Sequence, residues 1–228
     1  MPDLVKSAPP AACPTAPDLM LYHFPNACSR VSICALEMAG LDYRLQLVNL
    51  AKGEQNEPTY QAISPLGKVP MLIVDGEPLM ENGAILTLVH TLRPDAGVFP
   101  RDPSLRLRAE GVGGLTFCSA TLHPIIRGIA NPSRMTSGDG APVREKSLAL
   151  AAKAFGYAES RMAERGWWLG NLSIVDVYLD WAFSVARRAG LDPQAYPLLD
   201  GLEHRLMALP AYVRMHDVDR RSMAELGL

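Results

Sequence analysis

Cys28 is the residue whose position promises chemistry. It follows a short apolar run, Leu21-Tyr22-His23-Phe24, that breaks at Pro25, and it precedes a segment with helical spacing that opens at Arg30. A thiol at such a junction meets the unpaired N–H groups and the positive dipole end of a helix, which favour the thiolate and place the sulfur for nucleophilic or exchange chemistry. The competing reading is a small buried hydrophobe, the ordinary state of a free cysteine. A second candidate is His123 in Leu122-His123-Pro124. A lone histidine beside a proline in an apolar helix reads either as a packed residue at a kink or as an active-site group. Arg127 lies one turn beyond it on the same face, where its guanidinium meets an anion or closes an interface salt bridge.

The elements that must position these groups alternate in the first half of the chain. Leu19 to Phe24 is rich in strand formers, and Arg30 to Ala39 carries Val31, Ala35 and Met38 at helical spacing before Gly40, a natural helix stop. Tyr43 to Leu50 reads as a second strand, with the polar block Lys52 to Glu57 outside the sheet. The loop Ile63-Ser64-Pro65-Leu66-Gly67-Lys68-Val69-Pro70 enters a strand over Met71 to Val74. Asp75-Gly76 is a hairpin turn that needs positive φ at both residues, Glu77 to Met80 returns, and Glu81 to Thr91 is helical. The order β-α-β, loop, β-β-α is the thioredoxin-like arrangement, and Val69-Pro70 falls where that fold carries a cis-proline. Beyond a turn-rich linker from Arg93 to Pro103, strand patterns disappear. Helices are expected at about 105 to 127, 143 to 164, 174 to 189, 199 to 208 and 211 to 218. Ser173-Ile174-Val175-Asp176 opens one of them as a capping box. The division is a tail over 1–17, an α/β domain over 18–97 and an all-α domain over 103–228.

Composition excludes several partners. The chain has 228 residues, is 48% hydrophobic, and carries 22 basic against 24 acidic residues for a net charge of −2, which makes no electrostatic case for nucleic acid or an anionic membrane. No stretch has the apolar run a membrane span or signal peptide needs. The four cysteines (Cys13, Cys28, Cys34, Cys118) form no CxxC pair and no metal-ligand spacing, so no metal is expected and a reducing, cytoplasmic setting is favoured.

Three motifs, in order, resemble the glutathione transferase family. They are Phe24-Pro25-Asn26-Ala27-Cys28-Ser29, then Pro65-Leu66-Gly67-Lys68-Val69-Pro70 followed by Glu81-Asn82, and the Ser173 to Asp176 capping box. The resemblance runs from Leu19 to about Arg214 and is strongest to bacterial beta-class and β-etherase-like members. It implies a thioredoxin-like domain followed by an all-helical domain, with the active site between them. By the same resemblance Cys28 takes the position of the beta-class cysteine, and His123 faces it.

The resemblance also implies glutathione as co-substrate. Val69, next to Pro70, would exchange backbone hydrogen bonds with the cysteinyl unit. Glu81 and the following helix N-terminus would grip the γ-glutamyl group, and Lys52, or else Lys68, would pair with the glycine carboxylate. Asn82 stands where serine is usual, and its amide can donate to a carboxylate. His23 stands where other classes have a tyrosine hydroxyl. Asn26 lies where some classes hold the glutathione sulfur, so Cys28, Asn26 and Ser29 are alternative donors. His23, Phe24, His123 and Arg127 would border the acceptor pocket.

The expected function is conjugation of glutathione to small, mostly hydrophobic electrophiles. The alternatives are thiol–disulfide exchange, or reductive ether cleavage or dehalogenation, through Cys28; the non-enzymatic one is a glutathione-binding or stress-regulatory module. A homodimer is expected, because Glu81 to Thr91 and Arg106 to Arg127 carry more apolar residues than one buried face requires.

Overall fold

The computed structural model describes residues 16–101 and 103–228. Most of the tail expected over 1–17, including Cys13, lies outside the described residues. β1 (Leu19–His23) sits in the middle of a four-stranded sheet of order β2-β1-β3-β4. Its parallel partner is β2 (Arg44–Leu47), with Leu21 opposite Leu45, and its antiparallel partner is β3 (Met71–Val74), with Leu21 opposite Leu72. β4 (Glu77–Met80) completes the edge through the Asp75-Gly76 turn, where φ is 51° and 90° as a type I′ turn demands.

α1 (Ser29–Ala39) is buried on nearly all sides, because it lies between the sheet and the helical half of the molecule. Val31, Ile33 and Leu36 lose all solvent contact, and each contributes about 1.5–3 kcal/mol of transfer free energy. Gly40 ends the helix in the left-handed region, φ 57°, the conformation that makes glycine the usual stop. Where a polar block outside the sheet was expected, Glu54–Asn56 form a 3₁₀ turn that leads into the short α2 (Pro58–Gln61). The Asn49 side chain accepts the Ala51 and Lys52 N–H groups and the Glu54 carboxylate accepts the Asn49 N–H, so local capping folds this block. α3 (Asn82–Leu92) follows β4.

The second half is helical. α4 (Leu105–Thr116), a π-helical segment (Phe117–Leu122) and α5 (His123–Ala130) form one continuous rod. α6 (Ala141–Arg165) and α7 (Ile174–Arg188) follow; α7 is buried all round and serves as the axis of this half. Asp176 closes its capping box by accepting from the Ser173 N–H and hydroxyl at 2.9 and 3.0 Å, and it also accepts the Trp168 N–H at 2.8 Å. The single helix expected near 199–208 is broken at Gly201 into α8 (Pro197–Asp200) and α9 (Leu202–Leu206). The last helix, α10 (Pro210–Leu226), outruns the expected 211–218, because its second half buries polar residues, Asp219 and Ser222, that apolar spacing does not reveal.

One apolar cluster joins both halves. The linker is tied into it: Val98 is buried and its carbonyl accepts the Ile174 N–H at 2.9 Å. Among the described residues no helix is long and apolar enough to cross a membrane.

Candidate active site

A cleft of about 740 Å³ lies where the start of α1, the 64–70 loop and the start of α3 face α5 and α7. Phe24, Asn26, Cys28, Lys68, Val69, Pro70, Glu81 and Asn82 line it from the first half, and His123, Arg127, Tyr178 and Trp181 from the second. Another groove, of about 650 Å³ between α1, β2 and α10, contains none of them.

Cys28 is the N-cap of α1, and its thiol points at the Val69 carbonyl 3.6 Å away. The Val69–Pro70 bond is cis. The expected low-pKa thiolate is overturned. Cys28 is only 7% exposed, and burial pushes the thiol from 9.0 up to about 12; the backbone N–H, Arg127 and Lys68 favour the thiolate without offsetting that, and Glu81 opposes it further. The helix end acts as the sequence implies, but desolvation outweighs it.

The 64–70 loop is held from beneath. The Tyr60 hydroxyl donates to the Lys68 carbonyl at 2.6 Å, and Ser64 Oγ both donates to that carbonyl and accepts the Lys68 N–H. Gly67, φ 58°, has room for no side chain, since a Cβ would lie 2.8 Å from the Gln55 carbonyl oxygen. Lys68 lines the cleft while Lys52 is exposed outside it, with Gln55 and Asn56 on the cleft wall instead. Lys68, the second choice of the two by sequence, is therefore the lysine on the cleft lining.

Glu81 precedes α3 at φ 71°, a conformation costly for a residue with a Cβ and kept where surroundings demand it. Its carbonyl accepts the Ala84 and Ile85 N–H groups, which leaves those of Asn82 and Gly83 without an intrahelical acceptor at the cleft edge. The Asn82 side chain is committed elsewhere: it accepts the Ser32 hydroxyl at 2.6 Å and donates to the Cys28 carbonyl at 3.0 Å. It braces α1 against α3.

His23, expected to border an acceptor pocket, does not line the cleft. It is fully buried, with Nδ1 2.8 Å from Ser29 Oγ and Nε2 3.3 Å from Asp219 Oδ1. Period-two alternation puts it on the same face as Leu19 and Leu21, a signal present in the sequence. Ser29 is fully buried by that contact and does not line the cleft, which removes it as a sulfur donor. Asn26 does line the cleft, in a left-handed turn of φ 61°. Its side-chain amide donates to Met223 Sδ at 3.6 Å, its N–H to the Asp219 carboxylate, and its carbonyl accepts the Trp181 indole N–H at 3.0 Å.

His123 opens α5 directly after the π segment, half-buried and edge-on to Trp181 with ring centroids 4.9 Å apart. Burial, then Arg127 and Lys68, lower its pKa to about 4, so it is a neutral imidazole at pH 7. Arg127 and Arg134 are exposed on the same wall, and among the described residues neither has a carboxylate within salt-bridge distance. Sequence reasoning missed Tyr178, Trp181, Arg134 and Asp219; only Trp181, five residues beyond the capping-box aspartate, had a local cue.

Residues 17–90 match the family model for the glutathione S-transferase N-terminal domain. A maleylacetoacetate isomerase of Pseudomonas aeruginosa is 31% identical over 207 residues, covering 89% of this chain and 96% of that protein. A glutathione S-transferase of Xanthomonas campestris is 28% identical, covering 83% and 93%. Among solved structures, a glutathione transferase homologue from Sulfitobacter with bound glutathione has a TM-score of 0.80 at 28% identity, covering 88% of this chain and 97% of that one. A bacterial beta-class enzyme from Sphingomonas chungbukensis has a TM-score of 0.77 at 26% identity, covering 88% and 98%.

Proposed function

Since this chain belongs to the glutathione transferase family, we propose that its cleft binds glutathione and joins its sulfur to a small electrophile. The observation that carries this is the convergence on one cleft of Cys28 at the start of α1, the Val69 carbonyl 3.6 Å from its sulfur, and the Glu81-led start of α3. Val69 pairs with the cysteinyl backbone, Glu81 takes the γ-glutamyl ammonium, the open N–H groups of α3 take its carboxylate, and Lys68 takes the glycine carboxylate. In this reading residues 18–97 bind glutathione and 103–228 wall the acceptor pocket.

The neutral state of Cys28 favours conjugation over exchange. A thiol held as S–H donates a hydrogen bond to the glutathione thiolate, whereas exchange needs Cys28 itself as the nucleophile. Asn26 stands two residues away as a further donor. The new carbon–sulfur bond forms as the acceptor's leaving group departs, while neutral His123 offers a hydrogen bond rather than a charge.

Glutathione calorimetry with parallel aryl-halide and mixed-disulfide assays tests the reading. Conjugation should dominate, and Cys28→Ala should reduce it by about tenfold without abolishing it. Saturable glutathione binding with exchange alone would establish the alternative, as would ether cleavage or dehalogenation lost in Cys28→Ala. Binding with no turnover would leave a binding module.

A second reading is favoured by Arg127 and Arg134, two cleft cations without a carboxylate partner among the described residues. Several relatives are named for isomerising maleylacetoacetate, a dicarboxylic acid. Reversible addition of the glutathione thiolate across a cis double bond, rotation and elimination would give the trans acid and return glutathione. A homodimer in the cytoplasm belongs to the same proposal: Leu105 and Val112 on α4 are 85% and 65% exposed, an apolar face that a second copy would cover. Light scattering at twice the chain mass would support it.

A further inference from the structure

Asp219 is a buried carboxylate on α10, 193 residues along the chain from the turn it touches. Both of its oxygens accept the Asn26 N–H, at 3.0 and 3.3 Å. Oδ1 also lies 3.3 Å from His23 Nε2, an atom that makes no well-aligned hydrogen bond among the described residues. The carboxylate therefore meets the chain both at the end of β1 and inside the turn that leads to Cys28. Burial raises its pKa, but the His23 contact, the Arg30 guanidinium and the Asn26 N–H outweigh that and hold it below the usual carboxylate range, so the group is ionised.

Such a hold stabilises the turn. Asn26 is in the left-handed region, which asparagine enters more readily than other side-chain-bearing residues but less readily than glycine, so contacts that fix it there count. Every named contact that fixes it comes from the helical half: Asp219 on the N–H, the Trp181 indole on the carbonyl, Met223 Sδ on the side chain. An ionised group is a costly choice for mere helix packing, where an apolar side chain would serve. Arg30, buried beside it, is turned to Met215 Sδ and the His216 ring rather than paired with the carboxylate. The direct polar contacts of the carboxylate are thus left to the backbone N–H of the turn and to His23, with Arg30 acting on it only through its charge.

We infer that Asp219 is a positioning residue: by fixing the Asn26 turn from α10, it sets the direction in which Cys28 and the first N–H groups of α1 face the cleft. This rests on the function proposed above only in taking the cleft as the reaction site. It requires the last helix as part of the active site, although no residue of α10 lines the cleft.

The test uses the full chain with Asp219→Ala and Asp219→Asn. Cys34 serves as an internal control, since it lies in the helix that Cys28 caps, is fully buried away from the cleft, and has its thiol pushed to the same value of about 12. General loosening would speed alkylation of both cysteines alike, whereas a displaced turn exposes Cys28 alone. In Asp219→Ala the ratio of Cys28 to Cys34 alkylation should rise at least tenfold. kcat for conjugation should fall at least tenfold while KM for glutathione changes less than threefold. Asp219→Asn, whose amide oxygen still accepts the Asn26 N–H, should recover part of both effects, and it carries the test alone if the alanine variant does not fold. An unchanged ratio, or a kcat loss that tracks only the folded fraction seen in thermal melts, would overturn the inference. The alkylation ratio needs no turnover. A wild-type chain without conjugating activity would therefore refute the proposed function while the ratio still decided the role of Asp219.

Discussion

If burial governs Cys28, its titration will show it. At pH 7.5 a thiol with its pKa at 9.0 is about 3% thiolate, whereas one at about 12 is about 0.003%, a loss of about a thousandfold in the reactive form. Iodoacetamide alkylation of the native protein, followed peptide by peptide in mass spectra from pH 7 to 10.5, measures this directly. Burial also slows access, so the shape of the profile carries the result more than its height. The logarithm of the Cys28 rate should climb by one decade per pH unit with no plateau across the range, and should run parallel to that of Cys34. The same proton affinity sets a stability trend. The unfolded chain releases these protons near pH 9 and the folded chain near 12, so folding stability is full below pH 9 and falls as pH rises through that window. A Cys28 rate that levels off at or below pH 9 would refute the reasoning and favour the alternative, thiol exchange, over conjugation.

Three further outcomes are expected. Glu81→Ala should weaken glutathione binding more than about tenfold in calorimetry, because it removes a charge-assisted contact worth about 1.5–3 kcal/mol. Asn82→Ser should lower stability by about 2 kcal/mol and the melting temperature by about 4–8 °C, since a hydroxyl cannot both accept from Ser32 and reach the Cys28 carbonyl; scanning calorimetry checks it. Gly114→Ala should cost about 1–3 kcal/mol in urea unfolding, because the new methyl would lie 2.5 Å from Trp168 Nε1 and 2.7 Å from Val175 Cγ1.

The parts legible in the sequence were those fixed by neighbours in the chain. Gly40, Asp75-Gly76, Val69-Pro70 and the Ser173 capping box each carry their own geometry, and with the β1 and β3 patterns they place the first half correctly. Cys28 shows where that reach ends. Its junction is visible in the sequence, but its protonation depends on how much of the distant helical half covers it. Lys52 and Lys68 are indistinguishable by type, and a 3₁₀ turn unseen in the pattern decides which faces the cleft. Asp219 has no local sign at all, being an acidic residue in an acidic and basic helix whose meaning comes only from the turn it meets.

The π segment at Phe117–Leu122 divides the long α4–α5 rod into two sections of independent azimuth. A π bulge is one residue more than the α-helical repeat requires. A regular helix carrying the same residues would instead place every later side chain about 100° further round the axis. His123 and Arg127 would leave the cleft together, while α4 upstream kept its packing against α7. Deleting one residue of the segment closes the wide turn and keeps both side chains on the cleft wall, so the segment acts as a phase keeper: it absorbs a residue without turning the wall.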